Sequence, residues 1–216
     1  MTSTDVKFAR NDYVLKNYKW NMEIINSAVL NALNKFGLQS EQAKKMFLDN
    51  CVLRNYKKNE ILFSENKNNH SEYFLIEGVL HRFNIDENGN SVTTGFYIGS
   101  SVITPNFARI VKNKSLFTLQ ALTDICIGEI PVTVLDNFRY TNKEFEIFGL
   151  KVLQDELSKN ILTDIVYRSN NAKERLFLLR KTYPNLENLI PHSIIASYLG
   201  ITNVSFSRLR NELTNK

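Results

Sequence analysis

The sequence predicts an α+β protein in three parts: an N-terminal double-stranded β-helix (jelly roll) with flanking helices, a long helix, and a C-terminal helix-turn-helix. Three observations predict it. Between Leu53 and Pro131, short runs of β-branched and aromatic residues alternate with turn signals. From Val132 to about Ser169, apolar residues recur at helical spacing with no internal proline. Around residues 190–213, a small residue, a glycine and a capping threonine stand at the spacing of a tight helical corner.

Composition sets the outer bounds. The 216 residues are 43% apolar and 23% charged, as expected of a folded globular chain. No run approaches 18 consecutive apolar residues, and MTSTDVKFARNDYVLKNYKW has no apolar segment followed by a small-residue cleavage site. A cytoplasmic protein without membrane contact is therefore expected. Cys51 and Cys126 are too few and too far apart for a disulfide framework, a zinc cluster or a Cys-ligated iron-sulfur cluster. No metal or other cofactor is expected.

After a polar leader at 1–20, a helix is predicted from Asn21 to Phe36. It sets Ile24, Ile25, Ala28, Val29, Ala32, Leu33 and Phe36 on one face and has Gly37 as its stop. Ser40 caps a second helix with Ala43, Met46, Phe47 and Cys51 inward. ILF, EYFLIEGVLHRFNI, SVTTGFYI, LFTLQAL and ICIGEI are the predicted strands. Asp86-Glu87-Asn88-Gly89-Asn90 carries an Asn-Gly hairpin signal. Residues 21–133 thus form the first domain.

Residues 134–169 are predicted as a single long helix with two apolar rows. Phe145, Phe148 and Val152 face its own domain, and Leu150, Leu153, Leu157, Ile161 and Ile165 face a twin helix. Residues 170–216 form the last module. Its first helix, Asn171 to Tyr183, points Leu176, Phe177 and Leu179 inward, with Pro184 beyond its end.

The most specific pattern is the segment from Ile190 to Leu213. Pro191 suits a helix start, Ala196 lets two helices cross closely, and Gly200 supplies a turn that a Cβ would penalise. Thr202 caps the next helix, while Ile195, Leu199, Ile201, Phe206 and Leu209 form a small shared core. Thr202, Asn203, Val204, Ser205, Ser207, Arg208 and Asn211 then face outward at the start of the second helix. There Arg can donate two bonds to guanine, and Asn can pair with adenine, in a major groove. Arg210 is read as outward too. From residue 171 onward seven Lys or Arg stand against three Glu, although the whole chain carries only +5. Such a basic module fits the phosphates of double-stranded DNA.

In order, a β-roll, an interface helix and a terminal helix-turn-helix resemble the Crp/Fnr family of bacterial transcription regulators. LFSENKNNHSEYFLIEGVLHRFNIDENGN is similar to that family's early β-roll. IASYLGITNVSFSRLRNEL is similar to its DNA-reading end, above all to the branch common in Bacteroidetes. The resemblance implies a cyclic-nucleotide-binding-like domain, a homodimer paired through its long helices, contact with RNA polymerase, and an inverted-repeat DNA site whose half-sites lie roughly 34 Å apart.

Two departures qualify it. Members that bind cyclic AMP carry Gly-Glu-Leu and a later Arg-Ser or Arg-Thr, where this chain has Gly99-Ser100-Ser101 and Ser115-Leu116. A buried phosphate without its cation is costly, so cyclic AMP is not expected to bind in the usual way. Tyr97, Ser100, Ser101, Arg109 and Ser115 are the polar candidates for an effector pocket and read more readily as loop surface; the effector itself is unknown. The second departure is TYPNLENLIP, too short and too poor in β-branched residues for the family's full wing hairpin.

The oxygen-sensing branch needs N-terminal cysteines, and none stand in the first 50 residues. His70 and His81 would be the haem ligands of a haem sensor but read as surface residues. An enzyme is not expected: His70, His81 and His192 lack the His-x-His spacing of a cupin metal site, and no nucleophile elbow, Walker loop or HExxH occurs. A module of this fold that binds a ligand or another protein without DNA is the alternative the sequence leaves open.

Overall fold

The computed structural model describes residues 22–214, and the side chains of residues 29–213. The leader at 1–20 and the inward positions expected of Ile24, Ile25 and Ala28 lie outside what is described.

Helix α1 (Met22–Lys35) ends where Gly37 takes φ +93. Leu38 N–H then bonds Leu33 O and Gly37 N–H bonds Asn34 O, closing the last turn. Helix α2 (Glu41–Asp49) starts at Ser40, whose Oγ accepts from Ala43 N. Two four-stranded antiparallel sheets follow, formed by β1 (Val52–Tyr56), β2 (Ile61–Phe63), β3 (Ser71–Glu77), β4 (Val79–Ile85), β5 (Ser91–Ile98) and β6 (Ser101–Val102). A one-turn helix α3 (Asn106–Arg109) comes next, then the small hairpin β7 (Ile110–Val111) and β8 (Lys114–Ser115), and finally β9 (Thr118–Ala121) and β10 (Ile125–Pro131). The orders are β1-β10-β3-β6 and β2-β9-β4-β5. The predicted run 72–85 is two strands that change sheet at Gly78. There φ is +100, and a Cβ would lie 2.7 Å from Asp124 O.

Strand β3 is apolar at almost every position because both its faces are covered. Tyr73 and Leu75 point between the sheets with Leu80, Leu119 and Ile127, whereas Phe74 and Ile76 pack beneath α1 and α2. The hairpin after β4 turns as expected: Asp86 N–H bonds Asn90 O, Asp86 Oδ1 accepts from Asn88 and Asn90 N–H, and Gly89 takes φ +80.

The long helix departs from the sequence expectation. It is two helices, α4 (Val132–Thr141) and α5 (Lys143–Ser169), interrupted at extended Asn142. Asn142 closes α4 with its N–H on Phe138 O and opens α5 by accepting from Glu144 N at 2.9 Å. The corner brings Phe138 and Phe145 to 4.9 Å in one core. The two apolar rows divide as expected except at Leu153, which is half-buried rather than outward. Phe145, Phe148 and Val152 are buried, while Leu150, Leu157, Ile161 and Ile165 are 59%, 57%, 52% and 53% exposed.

Helices α6 (Ala172–Thr182), α7 (Leu186–Leu189), α8 (His192–Leu199) and α9 (Asn203–Thr214) complete the chain. Asn171 and Glu174 form a reciprocal cap at the start of α6. Phe177, expected inward, is 65% exposed because the buried stripe of α6 runs through Leu176 and Leu179. The connection read as a reduced wing is the helical turn α7, and among the described residues no strand follows Pro131. Its Glu187 is gripped by Arg180 at 2.7 Å.

Candidate nucleic-acid interface

The helical corner forms as the spacing requires. Gly200 sits left-handed at φ +66, Ile201 N–H bonds Ala196 O, and Gly200 N–H bonds Ser197 O. Thr202 Oγ1 accepts from Ser205 N at 3.1 Å and caps α9. Ile195, Ala196, Leu199 and Phe206 are buried, with Ile201 and Leu209 half-buried around them.

Thr202, Asn203, Val204, Ser205, Ser207, Arg208 and Asn211 are all exposed. Val204 presents 62% of its surface. Thr202 and Ser205 hydroxyls lie 3.0 Å apart, so part of their hydrogen-bonding capacity is spent on the cap. Arg208 makes no hydrogen bond or ion pair with the described residues. Arg210 does not join this face. Its guanidinium turns back to His192 Nδ1 at 3.2 Å and Glu187 at 3.7 Å, because α7 and α8 present an acceptor and a carboxylate on that side. It braces the motif rather than projecting from it.

The module docks on the β domain. Thr93 N–H donates to Ser197 Oγ, and that hydroxyl donates to Ser91 O, so a helix side chain occupies the open edge of β5. Val79 and Phe96 of the second sheet, with Leu122 just beyond β9, join the same apolar cluster as Leu176, Leu179 and Leu199.

The polar residues considered for an effector pocket separate. Ser100 is exposed, and Ser101 is half-buried with its hydroxyl on Ile98 O. Tyr97, Arg109 and Ser115 are not loop surface but buried. Helix α3 carries Arg109 inward, where its guanidinium lies 4.7 Å from the Phe63 ring and 5.2 Å from Tyr73, and donates to the carbonyls of Thr104 and Ser71. Burial pulls its pKa below the usual arginine value despite nearby Glu72. Sequence reasoning missed this because a four-residue helix between strands leaves no periodic signal.

Tyr97 bonds Thr104 at 2.6 Å; Thr104 donates to Glu156 on α5, which Arg82 of β4 also holds at 2.8 Å. This network ties the β-roll to the long helix. Glu156, Thr104 and Arg82 were not legible as a set, since their pairing depends on how α5 lies across the sheet.

His70 is exposed, but His81 is buried between Thr93 at 3.2 Å and Gln120 at 3.0 Å. It is therefore not the surface residue expected. Among the described residues no cluster of His, Cys, Asp or Glu could hold a metal. Burial lowers the His81 pKa, whereas the unfolded chain protonates near pH 6.5. Stability from this site is complete above about pH 6.5 and is lost as pH falls through the lowered folded value. Thermal unfolding between pH 7.5 and 5 is expected to fall more steeply for wild type than for His81→Gln; equal slopes would contradict it.

The chain thus joins a β-roll to a capped helix-turn-helix packed against it. Comparison with known proteins agrees. Residues 53–142 match the cyclic nucleotide-binding domain family. The chain is 25% identical over 175 residues to the fumarate and nitrate reduction regulatory protein of Escherichia coli K12, covering 75% of this chain and 69% of that one. The fold is that of FixK2 from Bradyrhizobium japonicum, at TM-score 0.67, 15% identity, and coverage of 76% and 85%. A Crp/Fnr-family regulator from Eubacterium rectale is similar at TM-score 0.65, 17% identity, and coverage of 85% and 88%. The chain thus contains a cyclic nucleotide-binding domain and is similar in sequence and fold to Crp/Fnr-family transcription regulators. No described helix is long and apolar enough to cross a membrane.

Proposed function

We propose that this chain acts as a cytoplasmic homodimer that reads an inverted-repeat DNA site through α9 and has lost the response to cyclic AMP. The observation that carries the reading is the outward face of α9, where Arg208 is exposed and unengaged beside Asn203 and Asn211. Within the described fold that face is used only by the Thr202–Ser205 cap, and its remaining groups are those that read base edges.

The exposed row on α5 supports the dimer. Leu150, Leu157, Ile161 and Ile165 repeat at seven, four and four residues along one helix, and apolar side chains exposed that far in a line call for a partner. A second copy of α5 fits by symmetry and would set the two α9 helices in successive major grooves, roughly 34 Å apart. RNA polymerase is the further partner of this reading. The segment IASYLGIT with Ser207-Arg208-Leu209-Arg210 supports placement in the Bacteroidetes branch.

The packing of the roll supports loss of cyclic AMP. Phe63, Tyr73, Leu80, Tyr97 and Phe117 are buried between the sheets, and the Arg109 guanidinium lies against two of those rings, Phe63 and Tyr73. Titration calorimetry with cyclic AMP is expected to give no binding heat into the millimolar range; a tight one-to-one isotherm would overturn this part. Enrichment of an inverted repeat from random duplexes by the effector-free protein tests the main reading.

A further inference from the structure

Helix α3 sends a cation into the β-roll. Arg109 is 1% exposed, and a guanidinium that far from water needs compensating charges or hydrogen bonds. Among the described residues it makes no ion pair. Glu72, the carboxylate that acts on it most strongly, is taken by Arg139 at 3.1 Å and by Asn106 N–H at 2.8 Å. Its Nη1 is shut off from water without a hydrogen-bond partner, which makes the residue costly to bury.

What Arg109 does hold is specific. Nε donates to Thr104 O at 3.0 Å and Nη2 donates to Ser71 O, with the Phe63 and Tyr73 rings against the planar group. Two ring faces and two carbonyl acceptors are the surroundings a bound planar cation would need, and here the cation is a side chain of the protein. The carbonyl it holds lies one residue's width from the long helix. Thr104 is buried and donates its hydroxyl to Glu156 of α5 at 2.9 Å, and Ile103 beside it is pinned by its N–H on Tyr73 O at 3.1 Å. Fixing the Thr104 backbone on one side therefore fixes where its hydroxyl meets α5 on the other.

We propose that Arg109 is a built-in occupant of the β-roll: its planar cation takes a ligand's place, holds Thr104, and through Thr104 locks the roll to α5 with no small molecule bound. The inference rests on the effector-free reading of the roll and supplies its mechanism.

The test reads amide hydrogen exchange by mass spectrometry on the full chain, with neither DNA nor cyclic AMP present; failure of the effector-free reading would show instead as a binding isotherm with cyclic AMP. Arg109→Ala is expected to speed exchange over residues 152–160 of α5 about ten-fold, the worth of one charge-assisted hydrogen bond, and over α2 less than about two-fold. Millimolar methylguanidinium, a planar cation that fits the vacated space, should restore slow exchange in that variant, and methylammonium, equally charged but not planar, should not. Thr104→Val keeps the carbonyl and removes the hydroxyl. It should speed the same α5 residues, and adding Arg109→Ala to it should change them little further. Arg109→Lys keeps the charge without the fork and carries the same exchange comparison if Arg109→Ala does not fold. Unchanged α5 exchange in a folded variant, an equal rise in α2 and α5, full additivity with Thr104→Val, or restoration by both cations or by neither would overturn the proposal.

Discussion

Arg208→Ala is expected to abolish sequence preference for DNA while leaving the fold and the oligomeric state intact. Its side chain is exposed on the first turns of α9 and engages none of the described residues, so removing it costs the monomer nothing visible. A bidentate arginine-guanine pair is worth about 1–3 kcal/mol of discrimination, and a symmetric dimer uses it twice. The specific complex should therefore weaken by about a hundred-fold or more, while non-specific, salt-dependent binding persists. Fluorescence anisotropy against a selected duplex and a scrambled one, at fixed salt, reads both quantities. Arg210→Ala should behave differently. Because Arg210 binds Glu187 and His192, its loss is expected to lower the melting temperature of the module without first removing base discrimination.

Replacing Leu157 and Ile161 together by Glu is expected to convert the protein to a monomer and to remove specific DNA binding with it. Each of these side chains is more than half exposed in the single chain, so the substitutions leave its core intact. In a paired α5 they would set four carboxylates in a dry seam, where burying one unpaired charge already costs several kcal/mol. Sedimentation analysis should show one species of half the wild-type mass with an unchanged circular dichroism spectrum. A dimer that survives both substitutions would place the interface elsewhere.

The parts of this molecule that were legible in the sequence are those whose signal is local. Ala196, Gly200 and Thr202 fix a corner through contacts within a few residues, and the structure forms the corner they imply. The apolar runs of β3 and β10 declared buried strands for a similar reason, although their two-sided burial hid the strand boundary at Gly78. What stayed hidden depends on packing. Asn142 is an ordinary helix cap by type, yet its place inside a long apolar pattern concealed the break between α4 and α5. Arg109 and His81 are polar by type, and only their partners on neighbouring strands make them interior residues. Arg210, two residues from Arg208, is turned to the other side of α9, where α7 and α8 place a carboxylate and an imidazole opposite it.

The measurement that bears most directly on the central claim is selection from a random duplex library with the effector-free wild-type protein, at one stated salt concentration, beside Arg208→Ala. Wild type is expected to enrich an inverted repeat with half-sites about one DNA turn apart, and the variant to enrich nothing. Absence of any enriched sequence with the dimeric wild-type protein, or the same repeat enriched by the variant, would contradict it.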